Sequence, residues 1–348
     1  MRTALPGRFL LAALCLVLSP IVAGAQIYET VGTRAQGMAG AFVAVADDAT
    51  ATWWNPAGIA SGALLGLSIE HSALQAPAGE VTTGPGWESG VNGFALTVPS
   101  LGLSYYRLRI SEIAPLLSST APGGGVREDE VAVSLRSVSL SQFGATFGQS
   151  LGEHLVLAST LRLLRGGQAI GSTVVPATGR SSTADSAFAQ AADLDVDAQY
   201  RIDLDVGVMV TVGGMRVGGS VRHLREPEFG EGATAIQLER QARIGAAWLG
   251  GERGVLSGWT VAFDADVTRT DTALGPVRHL AGGAEAWLWK RRLGLRGGLS
   301  TNALGDKARS TSVGLSLSPR AGLSLDGALT RGADETLEGW SAALRMTF

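Results

Sequence analysis

The chain has 348 residues, of which 45% are hydrophobic and only 17% charged, and it contains 48 glycines and 12 prolines. Its formal net charge is −3 and no block of lysine or arginine occurs, so it lacks the basic surface typical of nucleic-acid-binding proteins. Twelve prolines are too few for a collagen-like or disordered chain. The length allows either two domains or one large barrel.

The first 25 residues have the three parts of a secretory signal peptide. Arg2 and Arg8 supply the positive charge, residues 9–18 form the apolar core, and residues 23–25 (Ala-Gly-Ala) offer a cleavage site. The apolar core is short for a transmembrane helix, and no other run approaches the roughly 18 apolar residues that such a helix needs. Cleavage would remove Cys15, the only cysteine, and would leave an exported chain without disulfides.

Residues 26–60, the plug segment, are predicted to form a compact unit ahead of the first strand. This segment is rich in glycine and alanine, which let one backbone pack closely against another. Asp47 and Asp48 can accept backbone N–H bonds in a tight turn. Pro56, followed by Ala57, fixes its own φ and disfavours a helical conformation at Asn55, so a turn is expected there.

From residue 61 onward, apolar and polar residues alternate with a period of two. Leu204, Val206 and Val208, for example, alternate with Asp203 and Asp205. In a strand the two parities face opposite sides of the sheet, so each segment has one apolar face. About fourteen strands are expected, near residues 64–71, 91–98, 101–110, 130–150, 154–166, 203–212, 215–224, 236–249, 258–269, 278–289, 293–301, 310–318, 322–330 and 338–348.

The lengths of the connections favour a membrane barrel over a soluble sandwich. Splitting residues 130–150 at 139–141 would give an odd strand number, whereas one strand gives the even number typical of single-chain bacterial barrels. The longer connections then all fall on one side, and the other side has mostly tight turns, with 250–257 as the exception. The sequence therefore predicts an all-β fold: a transmembrane antiparallel β-barrel formed by residues 61–348, with the plug segment inside its lumen.

The final strand has a second signature. Trp340, Leu344, Met346 and Phe348 share one parity of an alternating segment that ends on phenylalanine. This ending resembles the signal that the outer-membrane assembly machinery recognises, so that machinery is a predicted partner.

The tryptophans fall into two groups. Trp248, Trp259, Trp287 and Trp289 flank the predicted tight turns, where an aromatic girdle at the membrane surface is expected. The adjacent residues 53 and 54, both tryptophan, belong to the plug segment. They could wedge it against the wall or line a hydrophobic pocket.

Charged residues of both signs occur on the polar parity of the strands. An isolated basic residue facing lipid near the bilayer centre would cost roughly 2–4 kcal/mol, so these side chains are expected to face the lumen and pair there. The predicted lumen network contains Arg136, Arg162, Asp205, Arg222, Arg243, Asp264, Asp266, Glu285 and Arg296, with Arg345 on the same parity.

Neither a metal nor a cofactor is predicted. Asp264, Asp266 and Glu285 could hold Ca²⁺, but pairing with Arg243 and Arg296 is the better interpretation. The four histidines form no recognisable catalytic motif, and no G-x-S-x-G or H-E-x-x-H sequence occurs. We therefore do not expect an enzyme.

The plug segment also carries a family resemblance. Residues 46–49 (Ala-Asp-Asp-Ala), followed after five residues by Asn55-Pro56-Ala57, resemble the N-terminal hatch of the FadL family of outer-membrane hydrocarbon transporters. The motif is equally similar to the opening of PorV-like barrels and of TraF-like outer-membrane proteins. Asp47, Asp48, Asn55, Pro56 and Ala57 would be the hatch or gating residues that this resemblance implies.

The resemblance leaves two functions open, and a generic structural barrel is the third possibility. A FadL-like protein would be a passive transporter of small hydrophobic molecules of the long-chain fatty acid or hydrocarbon class, in which ligand binding displaces the hatch and the solute leaves sideways through the wall. A PorV-like protein would be a scaffold or shuttle for secreted surface proteins, without solute transport. Connections 167–202 and 225–235 are small and polar, which favours flexible loops over loops that grip a ligand.

Either function implies the outer membrane of a Gram-negative-type bacterium, with outer-membrane lipid and lipopolysaccharide as surroundings. A hydrophobic small molecule would be the further partner of a transporter.

Overall fold

The computed structural model describes residues 31–76, 86–116, 130–176, 182–232, 235–272, 275–305, 307–333 and 337–348. The predicted signal peptide, residues 1–25, lies outside the described residues and stays a prediction. In the described ranges, no helix has both the length and the apolar character needed to cross a membrane.

Fourteen antiparallel strands form one closed barrel, as the sequence predicts. Segment 130–150 is a single strand, which confirms the even count. The barrel strands are β1 Gly66–Ala76, β2 Gly86–Val98, β3 Leu101–Pro115, β4 Glu130–Leu151, β5 Leu155–Pro176, β6 Gln199–Val212, β7 Met215–Arg222, β10 Gln241–Gly250, β11 Leu256–Asp266, β14 His279–Leu288, β15 Leu293–Asn302, β16 Arg309–Arg320, β17 Leu323–Gly332 and β18 Glu338–Thr347. Two short hairpins lie in the connections, namely β8 Glu228–Phe229 with β9 Ile236–Gln237, and β12 Thr270–Thr272 with β13 Gly275–Val277.

The register separates an apolar outer face from a mainly polar inner face. Leu103 pairs with Ala145, which pairs with Leu161, and both leucines are exposed on the outer side. One residue along β3, Ser104 faces inward and is fully buried. Because side chains alternate across a strand, the apolar parity forms the band that faces lipid.

Several strands extend further than predicted at the end opposite the tight turns. β5 was expected to end at 166 but continues to Pro176, and β3 was expected to end at 110 but continues to Pro115. Gly166, Gly167 and Gln168 interrupt the alternation of β5, yet their pairing with β4 continues without a break. Pairing with a neighbouring strand therefore extends strands beyond the point where the sequence pattern fades.

The connection 167–202 is more ordered than the sequence indicates. It contains the last part of β5 and a helix, α3 (Ser182–Ala192). Phe188 of α3 belongs to an apolar cluster with Ile113, Leu135 and Val175, which stand on the outward parity of β3, β4 and β5. The expectation of a flexible polar loop is wrong for these described residues, because three alanines (184, 187 and 191) and Phe188 give the helix an apolar face.

The plug segment fills the middle of the barrel. It contains α1 (Thr33–Gly37), α2 (Ala51–Trp54) and a 3-10 helix (Pro56–Ser61). Every residue from 31 to 60 is buried except Asp47 and Ala60, which are half-buried. α1 contacts β15 to β18, and the 3-10 helix contacts β4, β5 and β6.

One expected girdle residue faces the other way. Trp248, Trp259 and Trp289 are 40–56% exposed, but Trp287 is only 3% exposed and lies under the guanidinium groups of Arg291 and Arg296. Trp287 shares the inward parity of Glu285 and therefore faces the interior.

Candidate functional site

Asn55 connects the plug segment to the barrel wall. Its side-chain oxygen accepts a hydrogen bond from the Ala57 amide at 3.1 Å and caps the 3-10 helix, in which Pro56 is the first residue. Its side-chain nitrogen donates to the carbonyl oxygens of Val43 and, on β6, Val208, both at 3.0 Å. The close approach depends on a glycine, because a Cβ at Gly207 would lie 2.2 Å from the Asn55 oxygen.

Arg34 lies at the centre of a buried ion-pair group. Its guanidinium donates two hydrogen bonds of 2.7 Å to Glu285 on β14, and another nitrogen contacts Asp47 and, at 3.2 Å, Asp48. Burial alone would lower the pKa of Arg34, but the charges of Asp47, Glu285 and Asp48 outweigh it and hold that pKa well above its ordinary value. Glu285 also accepts from Arg296 at 2.5 Å, so one carboxylate joins the plug segment to two strands.

The strand next to β14 in the barrel, β11, holds the plug segment through its backbone. One carboxylate oxygen of Asp264, on β11, accepts from the amides of Phe42 and Val43 at 2.8 and 2.7 Å. The neighbouring inward residue, Asp266, pairs instead with Arg243 at 2.5 Å. These two aspartates therefore have different roles, one as an anchor for the plug segment and one as an ion-pair partner.

Trp53 rests against cations of the wall. The guanidinium of Arg222 lies 3.7 Å and that of Arg162 lies 5.2 Å from its ring centroid, and Tyr106 packs edge-on at 5.1 Å. Arg162 is fully buried, pairs with Asp205 and donates to the Thr52 carbonyl at 3.2 Å. Such cation–π contacts are worth about 2 kcal/mol or more when they are desolvated. Trp53 therefore wedges the plug segment against the wall.

One group of side chains has the composition of a metal site. Ligand atoms of Asp203, Asp205 and His223 lie within 4.8 Å of one another. Each carboxylate already has partners, since Asp203 accepts from His223 at 2.8 Å and Asp205 accepts from Arg162. The guanidinium beside this group favours ion pairing over cation binding.

Part of the lumen wall is apolar. Val91 pairs with Leu108, which pairs with Leu140. Two residues further along β3, Ile110 pairs with Val138. These five residues face inward on β2, β3 and β4 and are at most 5% exposed. With Leu164 on β5 they form what we call the apolar patch (Val91, Leu108, Ile110, Val138, Leu140 and Leu164). Barrel interiors are usually polar, so the patch is unusual.

The apolar patch is covered from two sides. From the loop side, the connection between β7 and β10 folds inward, and its Phe229 packs beside Gly166 and Leu140 while Ile236 and Leu238 join the same cluster. From the turn side, Trp53 packs edge-on against Tyr106, which precedes Leu108 by two residues on the inward face of β3. We call residues 223–240 the mouth loop. The expected small, polar character of residues 225–235 is wrong at Phe229. Ile236 and Leu238 belong to the predicted strand 236–249, but the barrel strand begins only at Gln241, so both residues lie in the mouth loop.

The predicted lumen residues all face the interior, and they form separate groups. Arg162 and Asp205 pair near Arg222, Arg243 pairs with Asp266, and Glu285 pairs with Arg296. Arg136 is apart from these groups and pairs with Glu112 at 2.8 Å. Sequence reasoning missed Arg34, Glu112 and Asp326 as partners. Inward parity identifies Glu112 and Asp326, but no sequence signal distinguishes Arg34 within the plug segment.

The predicted assembly residues lie along the outer side of the last strand. Trp340 and Phe348 are 48% and 66% exposed. Leu344 and Met346 are half-buried between them on the same parity. Recognition by the assembly machinery stays a prediction.

No protein-family model and no curated protein sequence matches this chain. Solved structures do match. The CymD monoaromatic hydrocarbon channel is 13% identical with a TM-score of 0.54, and the alignment covers 91% of this chain and 97% of that chain. The P. putida toluene transporter TodX is 12% identical with a TM-score of 0.54, covering 92% and 99%. A Pseudomonas aeruginosa FadL homologue is 11% identical with a TM-score of 0.54, covering 92% and 98%.

The chain has the fold of these barrels. At these identities the likeness shows the fold, and it agrees with the resemblance of the Asp47-Asp48 and Asn55-Pro56-Ala57 motif. The three neighbours named above are channels, transporters or homologues of transporters and not enzymes, and none of their names supports a secretion scaffold.

Proposed function

We propose that this protein is a passive channel for small hydrophobic molecules in the outer membrane of a Gram-negative-type bacterium. The observation that carries the proposal is the apolar patch, which lines part of a lumen that is otherwise mainly polar. A channel for polar solutes gains nothing from such a surface, whereas an apolar solute gains about 25 cal/mol for each Å² that it removes from water. The names of the structural neighbours, which include hydrocarbon and toluene channels, point to the same class of solute.

The two covers of the patch define where a solute would enter and leave. Phe229, Ile236 and Leu238 of the mouth loop occupy the apolar surface from the loop side, and a solute would replace them there. Trp53 closes the other side. Passage therefore requires the plug segment to move.

Movement of the plug segment is feasible because polar contacts attach it to the wall at several points. Asn55 and Asp264 hold it by hydrogen bonds to backbone groups, and Arg34 holds it by ion pairs. Such contacts can be exchanged for water when the lumen opens, whereas a wholly apolar contact cannot. On this basis Asp47, Asp48, Asn55, Pro56 and Ala57 are the proposed gating residues.

The test is uptake of toluene and of oleate by cells that lack their own channels for these compounds. Replacing Leu108 and Leu140 together by serine should lower both uptake rates at least about tenfold, because each buried leucine contributes about 1.5–3 kcal/mol of apolar contact. Met209→Ser is the matched control, since Met209 is also buried on the inward face but lies on β6 outside the patch.

Heat-modifiable migration of each variant on gels establishes that the barrel is folded. Unchanged uptake in the folded double variant, or no uptake by the wild-type protein, would contradict the proposal. The ratio of toluene to oleate uptake separates the hydrocarbon class from the fatty acid class.

A further inference from the structure

A groove on the outside of the barrel is independent of the lumen. It has a volume of about 480 Å³ and is bounded by β1, β2 and β3 and by Ala192 near the end of α3. Its polar lining includes Glu88, Asn92, Arg107 and Arg109. The proposed transport function uses none of these side chains.

The strand register places the groove directly beyond the apolar band. Ile69, Phe94 and Tyr105 pair in one outward row, in which Ile69 and Phe94 are 50% and 42% exposed. The next outward row contains Asn92 and Arg107, and the row after it contains Arg109. Arg107 and Arg109 are therefore the first charged outward residues on the loop side of this wall.

An aromatic residue marks the same boundary. Trp340 is exposed on the outer face of β18. It stands in the same row of paired residues as Arg109, with Ala73 and Gly90 between them. Tryptophan is enriched at the level of lipid headgroups. The two arginines thus stand near the depth at which the phosphates of membrane lipids lie.

Neither arginine has a protein partner among the described residues. Arg107 and Arg109 make no hydrogen bond and no ion pair within these ranges, and the Nε atom of Arg109 is buried without an acceptor. Other surface arginines do have partners, as Arg269 has in Asp271 and Arg331 has in Glu338. Both guanidinium groups lack a counter-charge in the described ranges, and an anion from outside these ranges would supply one.

We propose that this groove binds the phosphate-bearing headgroup of a lipid in the outer leaflet, with Arg107 and Arg109 as the phosphate ligands. Two residues apart on one strand face, their Cα atoms are roughly 7 Å apart, which lets two guanidinium groups converge on one phosphate. Guanidinium groups match phosphate oxygens with paired, charge-assisted hydrogen bonds. The acyl chains lie on the row of Phe94 and Tyr105.

The position of Glu88 favours a lipid over a soluble anion. Glu88 lies opposite Ser111, on the far side of Arg109 from the apolar band. The Glu88 carboxylate repels a free phosphate that enters this end of the groove. Acyl chains on the apolar band would instead hold the phosphate of a lipid close to Arg107, away from Glu88. The site therefore favours a lipid phosphate over inorganic phosphate, because the acyl chains fix the position of the lipid phosphate along the groove.

The experiment is native mass spectrometry of the full-length exported protein in detergent, with lipid A as the probe. The wild-type protein should retain bound lipid A, and the double variant Arg107→Gln with Arg109→Gln should retain roughly tenfold less, because it loses both charged donors. Arg165→Gln is the matched control: Arg165 is exposed on the outward row shared with Ser141 and Arg107, but it does not line the groove.

Two further arms separate headgroup, chains and soluble anion. Dipalmitoylglycerol, which has acyl chains and no phosphate, should bind weakly to all three proteins, and inorganic phosphate should not displace lipid A. Equal retention of lipid A by the folded double variant and the wild type would overturn the proposal. So would equal binding of dipalmitoylglycerol, or displacement of lipid A by inorganic phosphate.

Discussion

Asn55 holds together three parts of the chain that are far apart in sequence. Its side chain bonds to its own turn at Ala57, to the plug segment at Val43 and to the wall at Val208. An asparagine suits this position because its amide offers an acceptor and two donors at once. Aspartate at the same position would lack the donors for both carbonyls.

We expect Asn55→Ala to loosen the plug segment without unfolding the barrel. The change leaves one amide and two carbonyls without their partner, at a cost of about 1–3 kcal/mol. The strand ladder does not depend on these bonds, so heat-modifiable migration should stay normal while uptake of apolar solutes changes. Normal uptake by a normally folded variant would exclude Asn55 from gating.

At the residue scale, the sequence indicates types of contact but not partners. The motif at Asp47, Asp48 and Asn55 predicts a turn held by side chains, because these residue types bond to nearby backbone. That Arg34 would reach Glu285, 251 residues away, depends on the barrel register, which the sequence pattern leaves undetermined.

Strand β15 contains two adjacent glycines, Gly297 and Gly298, that face opposite sides of the barrel wall. A Cβ on Gly298 would lie 2.4 Å from the Met38 carbonyl carbon of the plug segment. A Cβ on Gly297, which faces outward, would meet nothing within 4 Å. The requirement for glycine at 298 thus comes from close approach of the plug segment, and it does not apply to its neighbour.

We expect Gly298→Ala to displace the plug segment and Gly297→Ala to leave it in place. Overpacking of a tight contact costs about 1–3 kcal/mol, and the backbone of Met38 would have to shift. Single-channel conductance in planar bilayers measures the result: Gly298→Ala should show more frequent openings than either the wild type or Gly297→Ala. Identical traces for the two variants would contradict this explanation.

At the element scale, the alternation of apolar and polar residues predicts the barrel strands well. It predicts the strand ends and the elements in the connections poorly. All fourteen strands follow from period-two patterning, since each needs one apolar face. The far end of β5 and the helix α3 escaped prediction because their apolar residues pack against each other outside the barrel. The prediction that Trp287 faces the membrane surface is wrong, because a tryptophan near a turn can lie on either face of the barrel wall.

The two ends of the barrel sheet meet at the seam between β1 and β18. The pairing runs from Gly66 with Thr347 to Gln75 with Glu338. Beyond it, Phe348 and Leu65 exchange two backbone hydrogen bonds of 2.9 and 3.0 Å. The last residue of the chain therefore takes part in closing the barrel.

We expect removal of Phe348, or Phe348→Asp, to lower the amount of folded barrel in the outer membrane severalfold. Removal deletes the last pair of the seam, and aspartate places a charge on a face that is apolar from Trp340 onward. The amount of heat-modifiable protein in membrane fractions is the measurement, with Phe348→Leu as the conservative control. A wild-type amount of the Phe348→Asp barrel would count against an assembly role for this ending.

The apolar patch is confined to one wall of the lumen. It lies on β2 to β5 between the Glu112–Arg136 pair and Arg162, whereas Asp264, Glu285, Arg296 and Asp326 stand on β11 to β17. An amphiphilic solute would therefore not travel along the barrel axis. It would keep to one side, with its tail toward β2 to β5 and its head toward the charges, so its orientation would be set before it reached the plug segment.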